Sequence, residues 1–298
     1  MKTILLPTDF SDSTAHAINW AQGLASAYDA TLVLLHVQTY TAPGATMPLA
    51  GEVGLGLDPA MGALLPGPDL PDLEPALRGQ LSALADGFRH DGIDCRIELR
   101  WGAVKDVILD VAADHEVDLI ITGRSHLGGF FDRLLGTTAT GVARGAHCPV
   151  LIVPTGDLDE LAEIDQESQL QSIVFATPLE FDEDDTFRQV VELAHRFEAS
   201  LRILHVEAEN QPNLVDDTEM LAQLQAVYGA EPLALDTVRA SSVSGGIGQY
   251  LETHAPSLLV LTTRERDFLS GLLNPSITSR LVGRTNLPLL VYQRKGDD

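Results

Sequence analysis

The stretch "ILLPTDFSDSTAHAINWAQGLASAYDATLVLLHVQ", residues 4–38, opens on an apolar run, breaks at a proline and an aspartate, takes up a helical period and closes on a second apolar run. Unbroken Ile, Leu and Val runs mark strands covered on both faces, and Ile18, Ala21, Ala25 and Tyr28 recur at the spacing of one helix face. Strand, helix, strand in this order predicts a parallel βαβ unit with a right-handed crossover. The pattern returns without gaps as "IVFATPLEFDEDDTFRQVVELAHRFEASLRILHVE" from Ile173, a shift of 169 residues. A second block, "VDLIITGRSHLGGFFDRLLGTTATGVARGAHCPVLIV" from Val117, pairs with "PSLLVLTTRERDFLSGLLNPSITSRLVGRTNLPLLVY" from Pro256 at a shift of 139. The chain is therefore a tandem repeat.

The two shifts differ by 30 residues, carried by the first half in "TAPGATMPLAGEVGLGLDPAMGALLPGPDLP", residues 41–71, where six prolines and six glycines with no helical period predict a long surface loop. Between the halves, "GDLDELAEIDQES" has six acidic and no basic residues and reads as a solvated linker. Within the first half the expected order is strand 3–7, helix 13–28, strand 31–37, loop, helix 73–89, strand 93–99, helix 104–115, strand 118–122, turn and helix, strand 149–153. Leu73, Leu77, Leu81, Leu84 and Phe88 carry the period of the second helix, and the second half repeats the order.

With 45% hydrophobic and 5% aromatic residues, the 298-residue chain builds its core from aliphatic side chains, which favours α/β. A net charge of −24 and only three lysines exclude a nucleic-acid or anionic-membrane surface. No apolar run reaches the ~18 residues of a membrane span, and the N-terminus turns polar too early for a secretory signal, so the expectation is a soluble, cytoplasmic protein. Two cysteines make no disulfide framework, and Cys95 alternates with Ile93, Ile97 and Leu99 on one face of a strand as a buried thiol. The acidity is no bar to a local anion site, since distant charge is screened beyond ~8 Å.

In open parallel sheets ligands bind beyond the carboxyl ends of strands, where the winding reverses. The first strand ends in Pro7, Thr8 and Asp9; the Asp9 carboxylate suits ribose hydroxyls equally well as it suits an N-cap for a helix starting near Ser11. The fourth strand runs into "GRSHLGGFFDRLLGTT", residues 123–138, with a new helix expected near Gly136, Thr137 and Thr138. Glycine lets backbone amides approach phosphate oxygens, and a helix N-terminus adds free N–H donors with roughly +0.5 charge; a simple threonine cap is the alternative. "GLGLDP" lacks the third glycine of a dinucleotide fingerprint and follows no strand, and "SGGIGQ", residues 244–249, departs from the pyrophosphatase loop it resembles. The nine histidines form no metal-binding pair, His36 and His205 read as packed strand residues, and no nucleophile–base–acid set can be assembled.

These residues resemble the universal stress protein family, whose nucleotide-binding members carry glycine, two residues, glycine, nine residues, glycine, then Ser or Thr. Gly123, His126, Gly136 and Thr137 occupy the four places, "CPVLIVP" follows as the last strand, and Pro7 to Ser11 and Leu34 to Val37 match the ends of the first two strands. The resemblance implies two tandem Rossmann-like, adenine-nucleotide alpha-hydrolase-like domains, each a five-stranded mostly parallel sheet with helices on both faces: residues 1–155, an acidic linker 156–169, and a degenerate domain 170–298. It implies ATP, with or without Mg2+, whose metal ligands the sequence does not identify. The nucleotide would be held by Asp9 at the ribose, by the Val37 backbone at the adenine edge, and by Gly123, Gly136, Thr137 and Thr138 at the phosphates, with Pro7, Thr8 and Arg124 also in the binding set. His126 stands where the family has its second glycine, either crowding the phosphates or donating to them.

In the second half the matching positions are Pro178, Thr262, Glu265, Pro275 and Ser276; proline lacks an N–H donor and glutamate repels phosphate. The expectation is therefore one nucleotide, in the first half, with a regulatory role in stress response read by an unidentified protein partner. A nucleotide-free interaction module and a slow ATP-hydrolysing enzyme are the alternatives. By the same resemblance the halves pair through "PVLIV" and "PLLVY" as an internal pseudo-dimer, and further homodimerisation is left open.

Overall fold

The computed structural model describes residues 1–11, 14–39, 70–124, 137–154, 170–177, 184–209, 234–263 and 287–293. The first half runs β1 (Thr3–Pro7), α1 (Ala15–Tyr28), β2 (Thr31–Gln38), α2 (Leu70–His90), β3 (Cys95–Trp101), α3 (Val104–Asp114), β4 (Leu119–Arg124), α4 (Thr137–Gly145) and β5 (Val150–Pro154). The second half supplies β6 (Ser172–Ala176), α5 (Asp184–Arg196), β7 (Ser200–Ala208), β8 (Ala234–Ala240), α6 (Val243–Leu251), β9 (Leu258–Thr263) and β10 (Leu289–Gln293). Residues 41–69 of the expected loop, the acidic linker and the counterparts of α2 and α4 lie outside the described residues, while Leu70 and Pro71 of that stretch belong to α2.

Among the described residues, ten strands form one sheet in the order β3-β2-β1-β4-β5-β10-β9-β6-β7-β8. Neighbours within each half are parallel, and β5 meets β10 antiparallel, with Leu151 opposite Leu290. The two apolar last strands thus join the halves edge to edge, so neither leaves an open row of backbone groups there. Alternation along each strand sends Leu6, Leu34, Leu151, Phe175 and Leu290 to the face covered by α1, α2 and α5. Leu5, Val33, Leu35, Val150 and Val291 go to the face covered by α3, α4 and α6. Both clusters run through the β5–β10 junction without a break. Each fully buried aliphatic side chain contributes about 1.5–3 kcal/mol relative to exposure, so the junction is core rather than contact surface.

Helix boundaries shift at two places from what the spacing predicts. The first helix begins at Ala15 because Asp9 and Ser11 are consumed by a turn before it. The second starts at Leu70, with Pro75 inside its N-terminal part. Its inner face is Leu77, Leu81, Ala85 and Phe88, with Leu84 only partly buried. Cys95 is buried beside Ile93, as its alternation predicts, and burial pushes its thiol up to about 11. Among the described residues no helix is long and apolar enough to cross a membrane.

Candidate functional site

β1 lies between β2 and β4, and the chain winds outward from it in both directions. Asp9, Val37 and Gly123 come to one end of the sheet because they close three adjacent parallel strands. This is the switch point where open α/β sheets hold ligands.

Backbone and side chain fix the turn after β1 from several sides. Thr8 is buried and its N–H donates to Leu35 O at 2.8 Å, extending the β1–β2 ladder one residue past Pro7. The His36 ring sits beside it in β2, its Nδ1–H donating to Thr8 O at 2.8 Å. That bond sets the tautomer, since a carbonyl can only accept. Phe10 donates its N–H to Thr8 Oγ1 at 3.0 Å and stacks on His36 with ring centroids 4.6 Å apart. Its φ of 61° lies in the left-handed region, which a bulky residue adopts only where its surroundings impose it. His36 Nε2 is buried with no hydrogen-bond partner among the described residues, so the bonds the ring makes there run through Nδ1.

Asp9 is exposed between these two anchored residues. Its Oδ1 accepts from the Ser11 N–H at 3.0 Å, the Ser11 hydroxyl at 2.5 Å and the Thr14 hydroxyl at 3.1 Å, while Oδ2 takes no part in this cluster. Burial works to raise its pKa, but the Ser11 and Thr14 hydrogen bonds outweigh that and hold the carboxyl below its ordinary value. The N-cap role that Asp9 shared with the ribose role is not what the structure shows. Thr14 occupies the N-cap position of α1, without a side-chain cap bond, and Asp9 closes the preceding turn instead.

Val37 is half-buried near the end of β2, its side chain on the α3 and α4 face. Pro7 closes β1 opposite Leu35, and Gly123 and Arg124 are the last two residues of β4, paired with Val153 and Pro154. Thr137 and Thr138 open α4, so its N-terminal amides face the strand ends carrying Asp9. His126 and Gly136 lie outside the described residues. The structure therefore brings Pro7, Thr8, Asp9, Val37, Gly123, Arg124, Thr137 and Thr138 to one end of the first-half sheet.

Spacing alone missed two further residues here. Gly102, with φ at 151°, donates its N–H to Gln38 O at 3.1 Å and ties the end of β3 to the end of β2; a Cβ would lie 2.8 Å from Val107. A glycine between a strand and a helix start is the signal that could have found it. The other is the role of His36: its packing in the strand is as expected, but its bond to Thr8, 28 residues away, leaves no trace in local pattern. Among the described residues no group of His, Cys, Asp and Glu could hold a metal ion. A cavity of about 360 Å³ lies away from this end, between α1 and α5 where the halves meet, lined by Trp20, Tyr28, Leu193 and Tyr292. Tyr28 there is pushed up to about 12 by burial and the Glu192 charge, with Arg196 over its ring opposing.

The second half repeats the frame. Thr177 donates to Leu204 O at 3.1 Å and His205 Nδ1 meets Thr177 O at 3.3 Å, the same two bonds one repeat on. Thr262, the counterpart of Gly123, is half-buried in β9. Pro178, Glu265, Pro275 and Ser276 lie outside the described residues.

Two doubly wound α/β units on one continuous sheet define the class of the molecule. The universal stress protein family model matches residues 1–154 and again 170–293, and the chain belongs to that family as a tandem member. It is 29% identical over 152 residues to a universal stress protein of Methanocaldococcus jannaschii, covering 51% of this chain and 81% of that protein. A universal stress protein of Thermus aquaticus is 31% identical over 154 residues, 51% of this chain and 98% of its own length. A solved universal stress protein of Archaeoglobus fulgidus shares the fold over 99% of this chain and 97% of its own, with TM-score 0.68 and 19% identity.

Proposed function

We propose that the first half, residues 1–155, binds one adenine nucleotide, ATP in the first instance, and that residues 170–298, beyond the acidic linker 156–169, are a fold partner without one. The observation that carries this reading is Asp9. Its carboxylate stands at the switch point, fixed through Oδ1 by three hydrogen bonds and ionised at neutral pH, with Oδ2 outside that cluster. A fixed carboxylate accepts the two hydroxyls of a ribose, and charge-assisted bonds of this kind are the strong ones. Pro7 and Thr8 shape that edge, the Val37 backbone meets the adenine, and Gly123, Arg124, His126, Gly136, Thr137 and Thr138 receive the phosphates around the start of α4. Mg2+ comes with the nucleotide rather than from a protein cage.

The nucleotide acts in this reading as a regulatory signal in stress response, read by a protein partner in the cytoplasm. The antiparallel β5–β10 contact supports the pseudo-dimer reading of the two halves. Calorimetric titration with ATP tests the site. Saturable binding to the wild type that Gly136→Val reduces by two orders of magnitude or more, roughly 2.7 kcal/mol, is the expected result, since a branched side chain enters the phosphate space. Equal affinity in the two proteins would show that this loop does not hold phosphate. No binding to either would leave the nucleotide-free interaction module as the function.

A further inference from the structure

Of the three lysines in this strongly acidic chain, Lys2 precedes β1 at the far end of the sheet, and Lys105 is the second residue of α3, at the end that carries Asp9 and the start of α4. The Lys105 stem lies across Gly141, one turn into α4: a Cβ there would come 2.9 Å from its Cδ and 3.2 Å from its Cγ. Glycine at 141 thus makes room for the lysine. The ammonium meets Asp106 Oδ1 at 3.1 Å, in a pair where both side chains are half exposed or more. Exposed pairs of this kind hold weakly, so the ammonium is free to change partners. The N-terminus of α4 lies one helical turn, roughly 5.4 Å, from Gly141 along the helix axis.

We propose that Lys105 binds the distal phosphates of the nucleotide and sets a preference for ATP over AMP, a role that rests on the nucleotide reading of the first half. A helix N-terminus offers roughly half a positive charge, and even with Arg124 assigned to the phosphates part of the charge of a triphosphate is left unmatched. In a chain with net charge −24 a local cation answers that deficit, and Lys105 is placed for it. The second half does not repeat the arrangement. Ser244 is the second residue of α6, and Arg280 matches Gly141 in the sequence repeat.

Titration of the full chain with ATP and with AMP separates the possibilities. Lys105→Met is expected to weaken ATP about tenfold and AMP less than about threefold, the loss of one charge-assisted contact, while Lys105→Arg keeps ATP within about threefold of wild type. The wild-type affinity for ATP falls more steeply with salt than that of Lys105→Met. Gly141→Ala provides a second route: alanine is the better helix former, so the melting temperature holds or rises, yet its Cβ displaces the lysine stem and ATP binding weakens. An ATP-to-AMP affinity ratio in Lys105→Met equal to that of wild type would overturn the proposal with the nucleotide site intact. Failure of the wild type to bind either nucleotide would overturn both, and the wild-type titration tells the two failures apart.

Discussion

The two halves of the molecule share one sheet, one strand order and even the histidine bond at the end of their first strand, yet they differ in the residue that follows it. In the first half Thr8 is held by Leu35 and His36, and Asp9 follows; in the second Thr177 is held by Leu204 and His205, and Pro178 follows. A frame that recurs in both halves belongs to the fold, whereas a carboxylate found at one copy of the turn belongs to whatever that copy binds. Binding specificity in a duplicated fold resides in the residues that break the repeat against a background that keeps it.

Exchanging the residues that differ attacks that comparison most strongly. Asp9→Ala is expected to weaken ATP binding about 100-fold, the loss of a charged acceptor for two hydroxyls, as read by calorimetry. The reverse exchange, Pro178→Asp, creates no second site, because Thr262, Glu265 and Pro275 still stand where Gly123, His126 and Gly136 do in the first half. An unchanged affinity in Asp9→Ala would remove the distinction between the halves.

A finer test alters what the halves share. His36→Leu and His205→Leu each leave a buried threonine carbonyl without its ring donor, at a cost of about 1–3 kcal/mol, so both melt earlier. Only His36→Leu also releases the turn that carries Asp9, and it loses about tenfold in ATP affinity, while His205→Leu binds as wild type does. Equal losses in the two would mean that the pinned turn serves stability alone.

The smallest effect is the acid response of Asp9. Its folded pKa is depressed, so its contribution to stability is complete above the ordinary value of 3.8 and is lost as pH falls below it. Asp9→Asn therefore lowers stability near neutrality, where the ionised carboxylate contributes in full, and flattens the acid limb so that the two proteins converge as pH falls. Chemical denaturation across pH reads the change.

Much of this was legible in the sequence, for physical reasons. Strands buried on both faces are continuous apolar runs, so β1, β2, β4 and β5 stand out, and a gapless repeat at one shift marks the duplicated unit before any element is placed. Helix starts were less legible because Asp9 and Ser11, good capping residues, cap a turn here instead of a helix. The Thr8–His36 bond, the Gly102 tie to Gln38 and the Lys105 stem on Gly141 join residues distant in the chain, and no periodicity encodes them. Residues at the strand ends carry a motif, whereas the residues that hold them in place are joined to them only by contact.

If the halves differ as proposed, nucleotide occupies the first alone. Native mass spectrometry of the full chain with saturating ATP counts the bound molecules directly. One ATP per chain in the wild type and none in Asp9→Ala is the predicted result; two per chain, or one that survives Asp9→Ala, would contradict it.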